Sequence, residues 1–464
     1  MAKKTKGQEL QEQLIWAFPH IGKDKPEQAE KAFKYCEGYK KFLDAGKTER
    51  ECVKEAVKML KKAGYKPFDS RESYEPGDKV YYVNRGKSLI ATTFGKKPLD
   101  QGLRINGAHI DSPRLDLKPN PLYEKEDIAF LKTHYYGGIR KYQWGTIPLA
   151  MHGVVVKKDG ETVEFSIGED EKEPVFCVTD LLPHLAAKQN ERPLKDGLKG
   201  EELNIVVGSL PFQDEEVKEP VKLLALSLLN EKYGITEKDF FRAEIEMVPA
   251  VKARDVGFDA SMIGAYGQDD RVCAYTALTA EIDAKKPAHT TVTILADKEE
   301  IGSAGNTGLN SDFVLHYIED LAEQAGVSPR EVMRKSLCLS SDVNAAFDPS
   351  FPDVYEGRNT SYISKGCVLT KYTGATTPAP RPWQRSLPLW RKKACIGRPV
   401  SWEPWMWAAA VPLPSSWRTW MWIPWIWACP SCPCILLLSW LPSWMSIIRI
   451  RRLRHSTNSL WTVA

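Results

Sequence analysis

Three fingerprints that would assign a chemistry quickly are missing from this chain of 464 residues. There is no P-loop, no GxSxG nucleophile elbow and no dinucleotide-binding glycine motif, so nucleotide-driven, serine-esterase and nicotinamide chemistry have no support. Net charge is also scarce, +4 over the whole chain, which gives no case for a nucleic-acid partner. The opening stretch MAKKTKGQELQEQLIW has no apolar run of the signal-peptide kind, and the expected location is the cytoplasm. Six cysteines precede residue 375 (Cys36, Cys52, Cys177, Cys273, Cys338 and Cys367) and follow no paired spacing. Reduced, mostly buried thiols are expected in place of a disulfide framework. Acidic residues nearly vanish toward the end: past Ala375 only Glu403 is found, whereas of 15 tryptophans only Trp16 and Trp144 come before that point. So abrupt a change of composition marks a boundary.

What is present is ordinary for a globular protein, 27% charged and 43% hydrophobic residues, with length enough for two or three domains. Residues 8–64 read as helical. In TERECVKEAVKMLKKAGY, Thr48 and Glu51 have capping-box spacing, Val53, Val57 and Leu60 share a face, and Gly64 stops the helix. KVYYVNRGKSLIATTFG predicts two strands about a turn at Asn84–Gly86. LRINGAHIDS, TVTILADKEE and SLCLSSD are apolar runs that each end in polar residues, with helical stretches VCAYTALTAEIDA and SDFVLHYIEDLAEQAG between them. That alternation predicts an α/β sheet with its chemistry at the carboxyl edge. Residues 118–250 are richer in strand-type segments and solvated charge and are expected to form a second, inserted domain.

Four clusters carry candidate chemistry. In NGAHIDSPRLDLKPNP, His109 and Asp111 lie two apart at a strand end and so face the same way. A neutral imidazole there can bind a metal while the carboxylate orients it, although such a pair alone is more often structural or incidental. GQDDRVCAY holds Asp269 and Asp270; burial of both would need a cation, and a helix N-cap is the plainer alternative. LADKEEIGSAGNTG places Glu299 and Glu300 directly after an apolar strand, where one carboxylate can hold a metal and the other take a proton from water. Asp342 ends a further strand in LCLSSDVNAAFDP. One histidine and several carboxylates at successive strand ends suit a pair of zinc, manganese or cobalt ions.

HIDSPRLDLKPNPLYE, HYYGGIRKYQW, GQDDR, DKEEIGS and KYTG together resemble the aspartyl-aminopeptidase-like metallopeptidases, family 18, in their bacterial branch, from about residue 10 to Gly374. The resemblance implies a phosphorylase/hydrolase-like α/β peptidase domain (residues 1–117 and 251–374) interrupted by a mainly β dimerisation domain at 118–250. It also implies peptide substrates and a dodecameric homo-oligomer. By the same resemblance His109 and Asp342 hold one metal, Glu300 holds the other and Asp269, as the first of its pair, bridges them. Asp111 orients His109, and Glu299 is the general base toward the water between the metals. His184 in LLPHLA reaches a neighbouring subunit's site, and Lys371 contacts substrate. The family closes its second metal site with a histidine in an LSMH segment after a DVGGGGT run, and neither segment is found in this chain; His455 has the wrong context.

Codons explain the tail. Trp405-Met406-Trp407 must be TGG ATG TGG; read from the third base, with Ala408 next, it gives Asp-Val-Gly, and Ala-Ala-Ala-Val-Pro then permits Gly-Gly-Gly-Thr. In the same frame WIWACPSCPCI permits Asp-Met-Gly-Val-Pro-Val-Leu-Ser-Met-His, with the histidine spanning Cys434 and Ile435. Residues 375–464 therefore read as an out-of-frame, non-native tail. The two other readings of the tail are weaker. CILLLSWLPSWMSII is short and proline-broken for a spanning helix, and CPSCPC lacks a second cysteine pair for zinc. Two alternatives to peptide hydrolysis are a non-catalytic assembly or tail-anchored membrane protein, and a dinuclear-metal N-deacylase.

Overall fold

The computed structural model describes residues 4–15, 20–24, 26–365, 367–370 and 397–400. Lys371, His455 and, apart from those last four residues, the tail from 375 onward lie outside the described residues. Among the described residues no helix is long and apolar enough to cross a membrane.

Local signals act as the sequence suggests. Thr48 caps the helix Glu49–Lys62: its hydroxyl accepts from the Glu51 N–H, and the Glu51 carboxylate accepts from the Thr48 N–H in return. Gly64, at φ 87°, ends that helix in a conformation that side chains avoid. Strands Lys79–Asn84 and Ser88–Thr93 pair antiparallel about Arg85 and Gly86, both at positive φ.

That hairpin joins a six-stranded sheet in the order Lys66–Pro67, Lys79–Asn84, Ser88–Thr93, Thr291–Ala296, Arg104–His109, Leu337–Ser340. The last three strands are parallel, so their carboxyl ends lie along one edge. Alternation along the strands supplies two apolar faces. Leu89, Ala91, Ala108 and Leu295 pack beneath the helices Pro26–Ala45, Glu49–Lys62 and Gln268–Asp283. Ile90, Leu103, Val292 and Ile294 pack on the other side against Phe313, Tyr317 and Leu321 of the helix Phe313–Gln324. Each of the larger aliphatic side chains here, fully buried, contributes about 1.5–3 kcal/mol.

A second sheet of seven strands, every neighbour antiparallel, is built wholly from residues 114–249. Its core contains Leu115, Trp144, Leu149, Ile205 and Met247, and the helix Pro220–Tyr233 packs against it. Charged groups tie the sheets together. Burial alone would raise the Glu49 carboxyl, but Arg114 and Lys87 outweigh it and hold it at about 2. Nearby, His152 lies between Glu51, 2.7 Å from its Nδ1, and Glu169, 3.2 Å from its Nε2.

Burial would lower the His152 pKa, yet Glu169 and Glu51 raise it above the usual range. Against burial, the His152 contact lowers both carboxyls, Glu169 to about 2. A raised histidine stabilises fully below its unfolded value of about 6.5 and loses that contribution as pH rises through its folded value. The lowered carboxylates stabilise above about 4.5 and lose it as pH falls toward their folded values. Stability from this triad therefore peaks at about pH 4.5–6.5. We expect His152→Ala to cost ~3 kcal/mol at pH 6, because Glu51 and Glu169 lose their shared cation, and less at pH 9. Urea melts at both pH values check this; an equal loss at both would contradict it.

Candidate metal centre

His109 is the last residue of the central parallel strand and is buried. Its Nδ1 lies 3.1 Å from the Asp111 backbone oxygen and 3.3 Å from Asp111 Oδ1. A proton on Nδ1 leaves the Nε2 lone pair facing the cluster. Nε2 is 3.0 Å from Asp269 Oδ1, 3.9 Å from Glu299 Oε2 and 4.0 Å from Asp342 Oδ1. Burial would lower the His109 pKa, but Asp111 and Asp269 outweigh it and raise it well above the usual range.

Asp269 and Asp270 stand at the start of the helix Gln268–Asp283, joined by a cis peptide bond and both outside helical φ/ψ. Asp269 Oδ1 is turned to His109 Nε2 and neither Asp270 oxygen accepts a hydrogen bond in good geometry, which argues against the N-cap alternative for the aspartates. Gly267 has φ 74°, and a Cβ there would collide with the Arg271 guanidinium. Arg271 is itself buried and donates to the Ile110 and Lys47 carbonyls, locking the helix start onto the strand end. Ser112 Oγ donates to the Asp269 carbonyl at 2.9 Å.

Glu299 and Glu300 open a short 3-10 turn after the strand Thr291–Ala296. Two groups of bonds set that turn. Asp297 accepts from the Lys298 N–H at 2.8 Å and from the Thr307 hydroxyl at 2.6 Å. Asp111 accepts from the N–H groups of Glu299, 3.2 Å, and Glu300, 3.1 Å. Glu300 is consequently buried, whereas the Glu299 side chain is 39% exposed at the mouth.

The donor set fits a metal. Neither oxygen of buried Glu300 or Asp270 has a hydrogen bond in good geometry, although the Cys273 thiol, a weak donor, lies against Asp270. Burial first, then Asp269, pushes Glu300 well above the carboxylate range; burial first, then Asp342, does the same to Asp270. Asp342, recessed though 56% exposed, is raised to about 7 by its enclosure and then by Asp269. Several carboxylates converging on a single histidine favour a bound cation. Two groups have ligand atoms within 4.8 Å of one another: His109 with Asp269 and Glu300, and His109 with Asp270 and Asp342.

The structure thus brings His109, Asp111, Asp269, Glu299, Glu300 and Asp342 together. His184 instead sits in an exposed turn and belongs to neither group, and Lys371 lies outside the described residues. The resemblance takes Asp269, the first of the pair, as the bridging residue and leaves Asp270 without a role. Sequence reasoning also passed over Tyr136, whose hydroxyl donates to Asp111 Oδ2 at 2.7 Å; the only signal was its place in the HYYGG stretch.

Known proteins share this sequence and fold. The sequence model of the family described as "Aminopeptidase I zinc metalloprotease (M18)" matches residues 42–381. A probable M18 family aminopeptidase 1 of Clostridium acetobutylicum is 52% identical over 356 residues, 75% of this chain and 77% of that relative. The crystal structure of an M18 aminopeptidase from Thermotoga maritima superposes with a TM-score of 0.84 at 35% identity, covering 96% of this chain and 99% of that one. Aminopeptidase I from Clostridium acetobutylicum superposes with a TM-score of 0.78 at 45% identity, covering 84% and 87%. With zinc-ligand chemistry at the strand ends and this degree of likeness, the chain belongs to the M18 family of zinc metalloprotease aminopeptidases, hydrolases that act on peptides.

Proposed function

We propose that the cluster is a dinuclear site for removing N-terminal residues from peptides, with His109 and Asp342 on one metal, Glu300 on the other and Asp269 between them. One observation carries it: the buried Glu300 oxygens, without a hydrogen bond, converge with the His109 imidazole and Asp269 at the carboxyl edge of the parallel strands. Zinc, when bound, polarises the peptide carbonyl and lowers the pKa of water. The residues do the rest. Asp111 holds the His109 tautomer through Nδ1. Glu299, at the mouth, takes the proton of the attacking water; as the C–N bond breaks, it returns that proton to the departing amine. The water oxygen ends on the new carboxyl group, whose remaining proton passes to the released amine or to solvent.

The same reading divides the chain into peptidase parts at 1–117 and 251–374 and a dimerisation domain at 118–250. It makes the chain a cytoplasmic homo-oligomer, in which His184, exposed on the second sheet's side, reaches a neighbour's site and Lys371 contacts the peptide. A fold neighbour from S. cerevisiae, 18% identical, is a dodecamer and is a precedent for such an assembly on this fold. Residues 375–464 are read as an out-of-frame tail, which leaves this chain short of its last histidine ligand and inactive as it stands. Support comes from the family match, which stops at residue 381, close to the break in composition.

Zinc uptake tests the site without depending on turnover. Metal-free protein titrated with zinc in a chelator competition should bind, and both His109→Ala and Asp269→Asn should weaken binding at least ~10-fold. Binding that both substitutions leave intact would falsify the assignment.

A further inference from the structure

Resting on that metal-centre reading, we propose that Tyr136 is a positioning residue: its hydroxyl fixes the Asp111 carboxylate, and through it both His109 and the turn that carries Glu299 and Glu300.

Asp111 is the hub of the site. It is fully buried and is served from three directions: the His109 ring at 3.3 Å, the backbone N–H groups of Glu299 and Glu300, and the Tyr136 hydroxyl at 2.7 Å. The last of these is the shortest and comes from a different sheet. Tyr136 ends the strand Ile128–Tyr136 of the seven-stranded sheet, whereas His109 and the glutamates stand at ends of the six-stranded one. A neutral O–H on a carboxylate is a charge-assisted bond, roughly twice as strong as a neutral pair. Without it, Oδ2 keeps the Glu300 N–H, and nothing from the second sheet restrains the carboxylate plane.

The hydroxyl is aimed. Arg114 is the ladder partner of Tyr136, and its guanidinium lies 3.9 Å from the ring centroid. Arg114 is held in turn by Asp116 at 2.8 Å, Glu246 at 3.1 Å and Glu49 at 3.4 Å. The backbone closes in immediately afterward: a Cβ on Gly137 would come within 3.2 Å of Glu300 Cβ. The strand end therefore packs on the glutamate turn while its tyrosine grips the aspartate. One chain of contacts runs Glu246–Arg114–Tyr136–Asp111–His109, from the ion network between the sheets to a metal ligand. Packing alone explains a buried aromatic ring here; it does not explain a hydroxyl placed on the carboxylate that orients the histidine.

Cobalt(II) binding to the full chain distinguishes the two. Tyr136→Phe keeps the ring and its stacking on Arg114, and is expected to raise the cobalt dissociation constant about 10–100-fold and to shift the visible cobalt band. In a double-mutant cycle with Asp111→Asn, the two losses should be non-additive, since Tyr136 acts through Asp111. Unchanged affinity and band, or strictly additive losses, would overturn the proposal. A second measurement does not depend on Tyr136→Phe folding. A 3-fluorotyrosine placed at position 136 should show a fluorine resonance that moves when cobalt is replaced by zinc or when Asp111 becomes Asn; a resonance indifferent to both overturns the proposal equally. If the unsubstituted chain takes up no cobalt, the metal-centre reading falls and this inference with it. If it binds and Tyr136→Phe binds equally well, only this inference fails.

Discussion

Read in the next frame from about codon 374 onward, the gene should yield a protein that releases N-terminal residues from peptides at least ~10³-fold faster than the chain described here. The estimate follows from what one lost ligand does. Lewis-acid stabilisation by a metal is worth several kcal/mol of transition-state energy, and each ~1.4 kcal/mol is tenfold in rate. The described half of the site is already built: His109, Asp269 and Glu300 are buried and converge. Asp342 is the weak point, 56% exposed at the end of a strand whose Cys338 and Ser340 are exposed too. Strands of a parallel sheet are ordinarily covered on both faces, as Thr291–Ala296 is here along its whole length. That exposure fits the proposed frame break, since elements following this strand would be the ones to cover it. Initial rates on unblocked peptides, with zinc and with chelator, decide the matter. Chelator-sensitive turnover by the present chain at a rate near that of the frame-corrected one would end the frameshift reading.

How much of this could be seen in the residues divides along contact range. Thr48 and Glu51 cap a helix because both atoms of the box lie within one turn, and the hairpin about Arg85 and Gly86 is equally local. His109, Glu299, Glu300 and Asp342 were legible because a polar side chain directly after an apolar strand has few reasons to be there. Asp270 was not: its meaning depends on burial, which the sequence GQDDR does not state. Tyr136 and Arg114 were less accessible still, since they act on Asp111 from a separate sheet, and only the folded register places an arginine opposite a tyrosine. The antiparallel pairing of Ser88–Thr93 with Thr291–Ala296, far apart in the chain, likewise has no local signal.

In the frame-corrected protein Glu299→Gln should lower kcat about 10²–10⁴-fold, the range ordinarily contributed by a general base, while bound zinc stays at its parental level. The two adjacent glutamates make the contrast sharp. Glu299 reaches only to 3.9 Å from His109 Nε2, stays 39% exposed, and belongs to neither ligand group. It is placed to meet a water and a substrate entering from solvent. Glu300 is buried with both oxygens unpartnered, which suits a ligand and is a poor position for proton exchange with solvent. Glu300→Gln should therefore lose zinc and activity together, whereas Glu299→Gln should lose activity alone. Metal content by atomic absorption beside steady-state kinetics separates the two. If Glu299→Gln also strips the zinc, the division of labour between base and ligand is wrong. If it leaves kcat within tenfold of the parent, the proton is taken by another group.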